Sequence, residues 1–461
     1  MTAMTVTTAP SPARMTGRER VAVTVLLTAG FTLAVDFSIL NVALPVIGRD
    51  VGLSTARLPW IATAFALCAA GFSLFFGRLA DVVGRRRLFL AGMALLGVSS
   101  LAGGLADGPA LLLAARAAQG VATAMVTPSA LSLLTSGFAE GPARDRVLGL
   151  NGALMAGGFT AGALLGGLLT GALSWRWAFF VNVVVAVAVL AVAPAVLTES
   201  KADRRPRLDA AGAVLVTLAL VALVFGASQA GEQGWTDQRA WGGLLLAAVL
   251  LAVFAVVERR APQPLVPLKM LRRKTVAWGN AAGLLAFATE TSLVFVLTLH
   301  FQDVLGLSPL AAGAAFGVLG AGTVVGGLAA PRVIGRVGPR RAIVLGLAAQ
   351  AVATAPIALF PDALAPLLLL AFVGGVANLV AIVGYTATAT SGLPAEDHGL
   401  ASGLVTQSQQ IGIALGTPLL AAVLATRLDD GLAEAVRTAV GVNAAVCALA
   451  ALVIGVALRR S

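Results

Sequence analysis

Fourteen apolar runs follow one another along the chain, each about 20 residues or longer and so able to cross the hydrocarbon core of a bilayer. They fall at about 21–46, 57–77, 88–106, 109–137, 147–172, 177–197, 209–229, 240–257, 275–300, 308–331, 341–360, 363–388, 399–426 and 435–458. In lipid every backbone N–H and C=O must find its partner within the chain, so runs of this length form helices. Of 461 residues 58% are hydrophobic and 11% charged, against about a quarter charged in soluble domains. No small-residue cleavage site follows the first run, which therefore reads as a retained span rather than a removed signal peptide.

The basic residues test the span count. Lys and Arg collect in cytoplasmic loops. With the N-terminus inside and fourteen spans, the inside segments hold 25 of the 32 basic residues and the outside segments six, Arg49, Arg57, Arg176, Arg239, Arg427 and Arg437. Arg116 lies within a span. An odd change in the count would put whole clusters on the wrong side. One inside loop, SGLPAEDHG, carries no Lys or Arg.

Several function classes drop out. The formal charge of +11 sits in short clusters between apolar runs rather than on one amphipathic face, which argues against a nucleic-acid partner. No loop exceeds about 20 residues and no phosphate-cradling G-x-x-x-x-G-K-[ST] segment occurs, so the chain has no room for its own ATP-hydrolysing domain. Cys68, Cys447, His300 and His398 form no metal-ligand spacing, and no cofactor is expected.

The loop GRLADVVGRRR, residues 77 to 87, repeats as PRVIGRVGPRR, residues 331 to 341, with Arg78 on Arg332, Gly84 on Gly338, and Arg86 and Arg87 on Arg340 and Arg341. The loops sit eight spans apart, so two six-helix halves are related by an internal repeat and spans 7 and 8 are inserted between them. Transporters are commonly built from such repeats, with the binding site at their interface. In the same register Asp36 lies 16 residues after Arg20, and Glu290 lies 16 after Lys274. Both acids are then roughly 24 Å from the cytoplasmic edge, in matching helices. A buried carboxylate costs at least a few kcal/mol unless it faces protein or water. Thr24, Thr28, Thr32 and Asp36 recur every four residues and form one stripe, which reads as a cavity lining; threonines can also bond back to their own helix. Arg116 falls at nearly the depth of Asp36, and it either pairs with that acid or binds helix-end carbonyls.

At these residues the chain resembles the major facilitator superfamily, and within it the fourteen-span drug:proton antiporter family. LAVDFSILNVALP is similar to that family's first-span motif at Asp36, Asn41, Ala43, Leu44 and Pro45. GRLADVVGRRR is similar to the superfamily loop signature at Gly77, Asp81, Gly84, Arg85 and Arg86, with Val82 where a basic residue is usual. LLAARAAQGVATAMVTP resembles the fourth-span motif at Arg116, Gln119, Gly120 and Pro128, and SWRWAFFVN, residues 174 to 182, also looks familial. The fifth span departs from the usual G-P-x-x-G-G, with Ala163 in place of proline. Its Gly158, Gly162, Gly166 and Gly167 still offer a small-residue face for close helix contact.

The resemblance implies an all-α integral membrane protein of fourteen transmembrane helices: a tail 1–20, a six-helix bundle 21–197, a linker with two extra helices 198–274, and a second bundle 275–461. It implies proton coupling through Asp36, Glu290 and Arg116, the two acids meeting in a central aqueous space. It implies gating through Gly77, Asp81, Gly84, Arg85 and Arg86, with Asp81 reaching toward the start of span 13, while the arginines of this loop also suit anionic lipid headgroups. Thr32, Phe37, Asn41, Trp60, Phe65 and Gln119 are expected to line a substrate cavity, the aromatics offering cation–π contact.

The expected activity is export of lipophilic, often cationic, drugs or antibiotics by alternating access, driven by protons, in a monomer with both termini inside a bacterial plasma membrane. The same fold also suits export of a self-made metabolite, an amino acid or a sugar. A membrane-embedded lipid-linked transferase would need acids or a metal site near the headgroups, and the outside loops offer only scattered acids.

Overall fold

A computed structural model describes residues 15–54, 57–136, 142–199, 209–261, 264, 268–359, 363–393 and 398–459. Most of the N-terminal tail, the basic linker stretch 200–208 and residues 394–397 of the SGLPAEDHG loop lie outside the described residues. The long helices are α1 Gly17–Val51, α2 Pro59–Val83, α3 Arg85–Gly104, α4 Pro109–Ser136, α5 Pro142–Ala172, α6 Trp177–Val196, α7 Ala210–Gln233, α8 Gln238–Arg260, α9 Lys274–Leu299, α10 Pro309–Val337, α11 Pro339–Thr354, α12 Leu364–Thr390, α13 His398–Ala425 and α14 Leu432–Arg459. Among the described residues twelve helices are long and apolar enough to cross a membrane, and α2 and α5 contain shorter apolar stretches, Pro59–Ser73 and Thr160–Ala172. Local chemistry sets their starts: Thr16 and Glu19 form a capping box on α1, and Asp209, Asp237 and Ser308 cap α7, α8 and α10.

Packing repeats along the chain. In the first six helices α1 packs on α5 and α6, α4 on α2 and α3, and α3 on α6; the last six repeat each pair, with α9 on α13 and α14, α12 on α10 and α11, and α11 on α14. The halves join through α5 on α10 and α2 on α13, which are the same relation seen from either side. Helix α7 lies along α2 and α13, and α8 packs chiefly on α7. Much of α8 is exposed, Leu245 and Trp241 among the most open large side chains, as suits a helix facing lipid.

Glycines make the close approaches possible. A Cβ at Gly158, Gly162 or Gly166 would strike the backbone of α1 at Phe31, Val35 or Ile39, and Gly412 and Gly416 of α13 stand in the same way against Leu284 and Ala288 of α9. Gly167 turns the other way and meets Pro309 and Gly313 of α10 at the junction of the halves. Gly84 and Gly338, the repeated loop glycines, each end one helix and begin the next at positive φ, 122° and 83°. That backbone geometry disfavours any side chain.

The apolar core is not symmetric between the two ends. At the end away from the repeated arginine loops, residues of both halves share one core, among them Ile39, Leu44, Phe179, Phe295, Phe316 and Leu424. Toward the arginine-rich end each half has a core of its own, one around Leu26, Phe89 and Val126, the other around Ile343, Tyr385 and Ile454. On one flank α2, α7 and α13 share a further core through Phe65, Leu220 and Leu404.

Candidate functional site

Asp36 is 0% exposed in the middle of α1. Its Oδ2 accepts from Arg116 Nη1 at 3.1 Å, and its Oδ1 accepts from Gln119 Nε2 at 3.2 Å and from Asn182 Nδ2. Gln119 Nε2 also donates to Ser100 Oγ at 2.8 Å, while its Oε1 accepts from Arg116 Nη1 at 2.8 Å. Arg116 Nε donates to the Ile61 carbonyl at 3.0 Å, and the guanidinium carbon stands 4.4 Å from the centre of the Phe65 ring. Both sequence readings of Arg116 therefore hold together: it pairs with Asp36 and also binds a backbone carbonyl of α2.

Five helices build this cluster, α2 through the Ile61 carbonyl and the Phe65 ring. α1 carries the acid, α4 supplies Arg116 and Gln119 three residues apart on one face, α3 brings Ser100, and α6 brings Asn182 from SWRWAFFVN. Each of these residues is at most 1% exposed except Phe65, at 3%. The carboxylate faces donors only, so the pair is net neutral and stereochemically matched, which is the condition for keeping such charges away from water. Ser100 and Asn182 were not singled out from the sequence as site residues. Asn182 carried a signal, an isolated amide within an otherwise apolar stretch, while Ser100 is one of two adjacent serines, Ser99 and Ser100.

Several expectations are corrected. Asp36 and Glu290 do not meet: the partners of Asp36 all lie in the first six helices, and Glu290 faces a small cavity lined by residues of α9 to α12 and of the turn that follows α11. The reason is the repeat itself, which turns each acid toward its own bundle. Gln119 is fully enclosed by the Asp36 cluster and lines no space between the halves, while Phe65 lies beneath Arg116 and packs in the core that α2 shares with α7 and α13. In the threonine stripe Thr24 and Thr32 bond back to the Arg20 and Thr28 carbonyls. Phe37 is half-buried with its ring 6.1 Å from that of Phe65; Asn41 is buried and Trp60 half-buried.

In the loop signature, Gly77 lies against Pro128 of α4. Glu199 sits at the start of α3, where its Oε1 accepts from the Arg86 backbone N–H at 3.1 Å and its Oε2 lies 3.8 Å from Arg87 Nε. The Arg86 side chain donates to the Pro194 carbonyl at 2.8 Å. These contacts tie the loop to the end of α6, and Arg85 is half-buried beside them. The side chain of Asp81 lies outside the described residues. Among the described residues no group of three His, Cys, Asp or Glu side chains is placed to hold a metal.

A family profile described as Major Facilitator Superfamily matches residues 26–417. The chain is 38% identical over 432 residues to the cephamycin export protein CmcT of Amycolatopsis lactamdurans, covering 91% of this chain and 88% of that one. It is 35% identical over 417 residues to the puromycin resistance protein pur8 of Streptomyces alboniger, covering 89% and 82%. Among solved structures, an auto inhibited POT family peptide transporter superposes with a TM-score of 0.73 at 17% identity, covering 95% of this chain and 97% of that one, a likeness of fold alone.

Proposed function

The chain belongs to the Major Facilitator Superfamily, and from that premise we propose that it is a bacterial drug exporter that couples outward movement of lipophilic, often cationic, antibiotics to inward movement of protons. The substrate class follows its relatives, which are named for cephamycin export and for puromycin resistance. The observation that carries the coupling is the ion pair of Asp36 and Arg116, closed off inside a transmembrane bundle. A membrane helix holds an ionisable pair at this depth at considerable cost, and proton relays are among the functions that such residues mark.

Within the family the chain fits the fourteen-span antiporters, α7 and α8 being the inserted pair and residues 198–274 the segment that carries them. The basic clusters support placing both termini and the repeated arginine loops in the cytoplasm. The shared core at the opposite end then represents closure of the outer side. Alternating access follows as a rocking of the two bundles about the α5–α10 seam, where glycines allow backbone contact, and the α2–α13 seam, where Gln407 Nε2 donates to the Ala70 carbonyl. The protein acts as a monomer, and the gating role falls to the Gly77–Arg86 loop.

Purified protein in liposomes with an imposed pH gradient tests this directly. Cationic dyes and antibiotics are expected to move against the proton flow, and Asp36→Asn to abolish that dependence. Gradient-driven movement that survives Asp36→Asn defeats the assignment.

A further inference from the structure

The C-terminal half carries a polar cluster built on the same plan as the Asp36 site, with its cation left out. Arg49 and Asp303 are 254 positions apart, and the same step carries Asp36 to Glu290, Gly84 to Gly338 and Ser100 to Thr354. In α4 and α12 the step is one longer. Gly120 and Gly375 mark it, because a Cβ on either would meet the carbonyl of Phe65 or of Leu319, themselves related by the shorter step. Arg116 and Gln119 then correspond to Ala371 and Gly374. Both replacements line the cavity beside Glu290.

That cavity measures about 20 Å³ and is lined by Glu290, Gln350, Thr354, Asn378 and apolar side chains, with no basic residue among them. It has room for about one water molecule. Two of its polar residues are fixed by their outer contacts. Asn378 Nδ2 donates to the Ala286 carbonyl and to Gln350 Oε1, and Gln350 Nε2 donates to Thr289 Oγ1. The amide of Asn378 is thereby oriented with Oδ1 left over. Asn378 Oδ1 and Thr354 Oγ1 are buried without a hydrogen-bond partner, in residues 2% and 1% exposed. An orphaned acceptor in such a place is costly unless a donor reaches it.

We propose that Glu290, Thr354 and Asn378 form a second proton-binding site, in which Glu290 is a neutral acid beside one trapped water. The acid O–H donates to the water, and the water's two hydrogens serve Asn378 Oδ1 and Thr354 Oγ1, so both orphaned oxygens accept a hydrogen bond. A hard metal cation takes six or more oxygen ligands, more than the carboxylate and two free oxygens supply. Of the other elements packed on α9, α13 presents Gly412 and Gly416, α14 presents Asn443 with Cys447 behind it, and α12 sets Tyr385 against Phe287. None adds a charge to the cavity, and Asp36 on α1 is enclosed by its own partners. The two halves thus hold a proton acceptor of unlike kind: one compensated by arginine, one by its own proton. The site's part in transport rests on the proton-coupled reading above; its existence does not.

Infrared difference spectroscopy of the reconstituted full-length protein tests it. At neutral pH the wild type is expected to show a protonated-carboxyl C=O band that is lost in Glu290→Gln and kept in Asp36→Asn. Thr354→Val, which removes one partner of the water, is expected to shift that band without abolishing it. Absence of the band in the wild type, its persistence in Glu290→Gln, or its loss when Na+ replaces choline would overturn the proposal. The band present with no pH-driven transport would sink only the exporter's coupling; pH-driven transport with no band would sink only this site.

Discussion

Arg49 and Asp303 occupy equivalent places in the two halves, 254 positions apart, and their side chains meet, Nη1 to Oδ1 at 3.1 Å. In a pair related by a two-fold axis a residue approaches its own counterpart only near that axis. The ion pair therefore marks where the pseudo-two-fold axis leaves the molecule, at the end where the halves share a core. Asp303 reaches this point from a single π-helical turn, His300–Val304, that follows α9, and its neighbour Gln302 donates to the Val42 carbonyl of α1. Opposite charges at repeated positions make the contact attractive where a strict repeat would repel.

Breaking this pair is expected to change conformation more than stability. The side chains are 65% and 27% exposed, so the interaction contributes about 0.2–1 kcal/mol. Arg49→Ala should raise the population open on that side by about 1.4- to fivefold, at 1.4 kcal/mol per factor of ten. Cysteine labelling from that side measures it, and the exchanged double variant Arg49→Asp with Asp303→Arg should return labelling to the wild-type level.

The buried pair behaves oppositely. Removing one partner strands a charge, at about 3–5 kcal/mol, so Arg116→Ala should lower thermal stability in detergent sharply. Arg116→Gln combined with Asp36→Asn leaves no charge behind and should cost much less than the two single changes added together. Strict additivity in that double-mutant cycle would show that the two residues do not interact.

Helix contact through glycine makes a third expectation, with its control built in. Gly166→Ala places a Cβ against the Ile39 backbone, whereas Gly157 has nothing within 4 Å of an added Cβ. Overpacking of this kind costs about 1–3 kcal/mol. Thermal denaturation should therefore separate Gly166→Ala clearly from Gly157→Ala, which should match the wild type.

The joint between α2 and α3 offers a fourth. At φ 122° Gly84 holds a conformation disfavoured for side chains, and its added Cβ would also stand 2.6 Å from Glu199 Oε1. Gly84→Ala should cost about 1–3 kcal/mol, and Gly108→Ala, with open space around it, should cost nearly nothing. Equal melting temperatures for the two variants would contradict this account of the joint.

Much of the architecture was written in one dimension. Apolar length located the helices because lipid offers the backbone no other partner, the repeated loop announced the two halves, and an isolated Asp, Glu or Arg inside a span announced a buried site. The glycines of α5 likewise declared a contact face, though not that Gly167 would serve the second seam while its neighbours serve α1. What a span's residues did not declare was direction. Lipid and bundle interior are almost equally apolar, so polarity seldom separates one face from the other, and the threonine stripe of the first span misleads because Thr24 and Thr32 bond back to their own helix. Only the packed structure turned Asp36 toward Ser100, Arg116, Gln119 and Asn182, turned Glu290 toward a cavity of its own, and kept the two acids apart. Side chains dozens of residues distant decide that orientation, through hydrogen bonds that exist only once the helices are side by side.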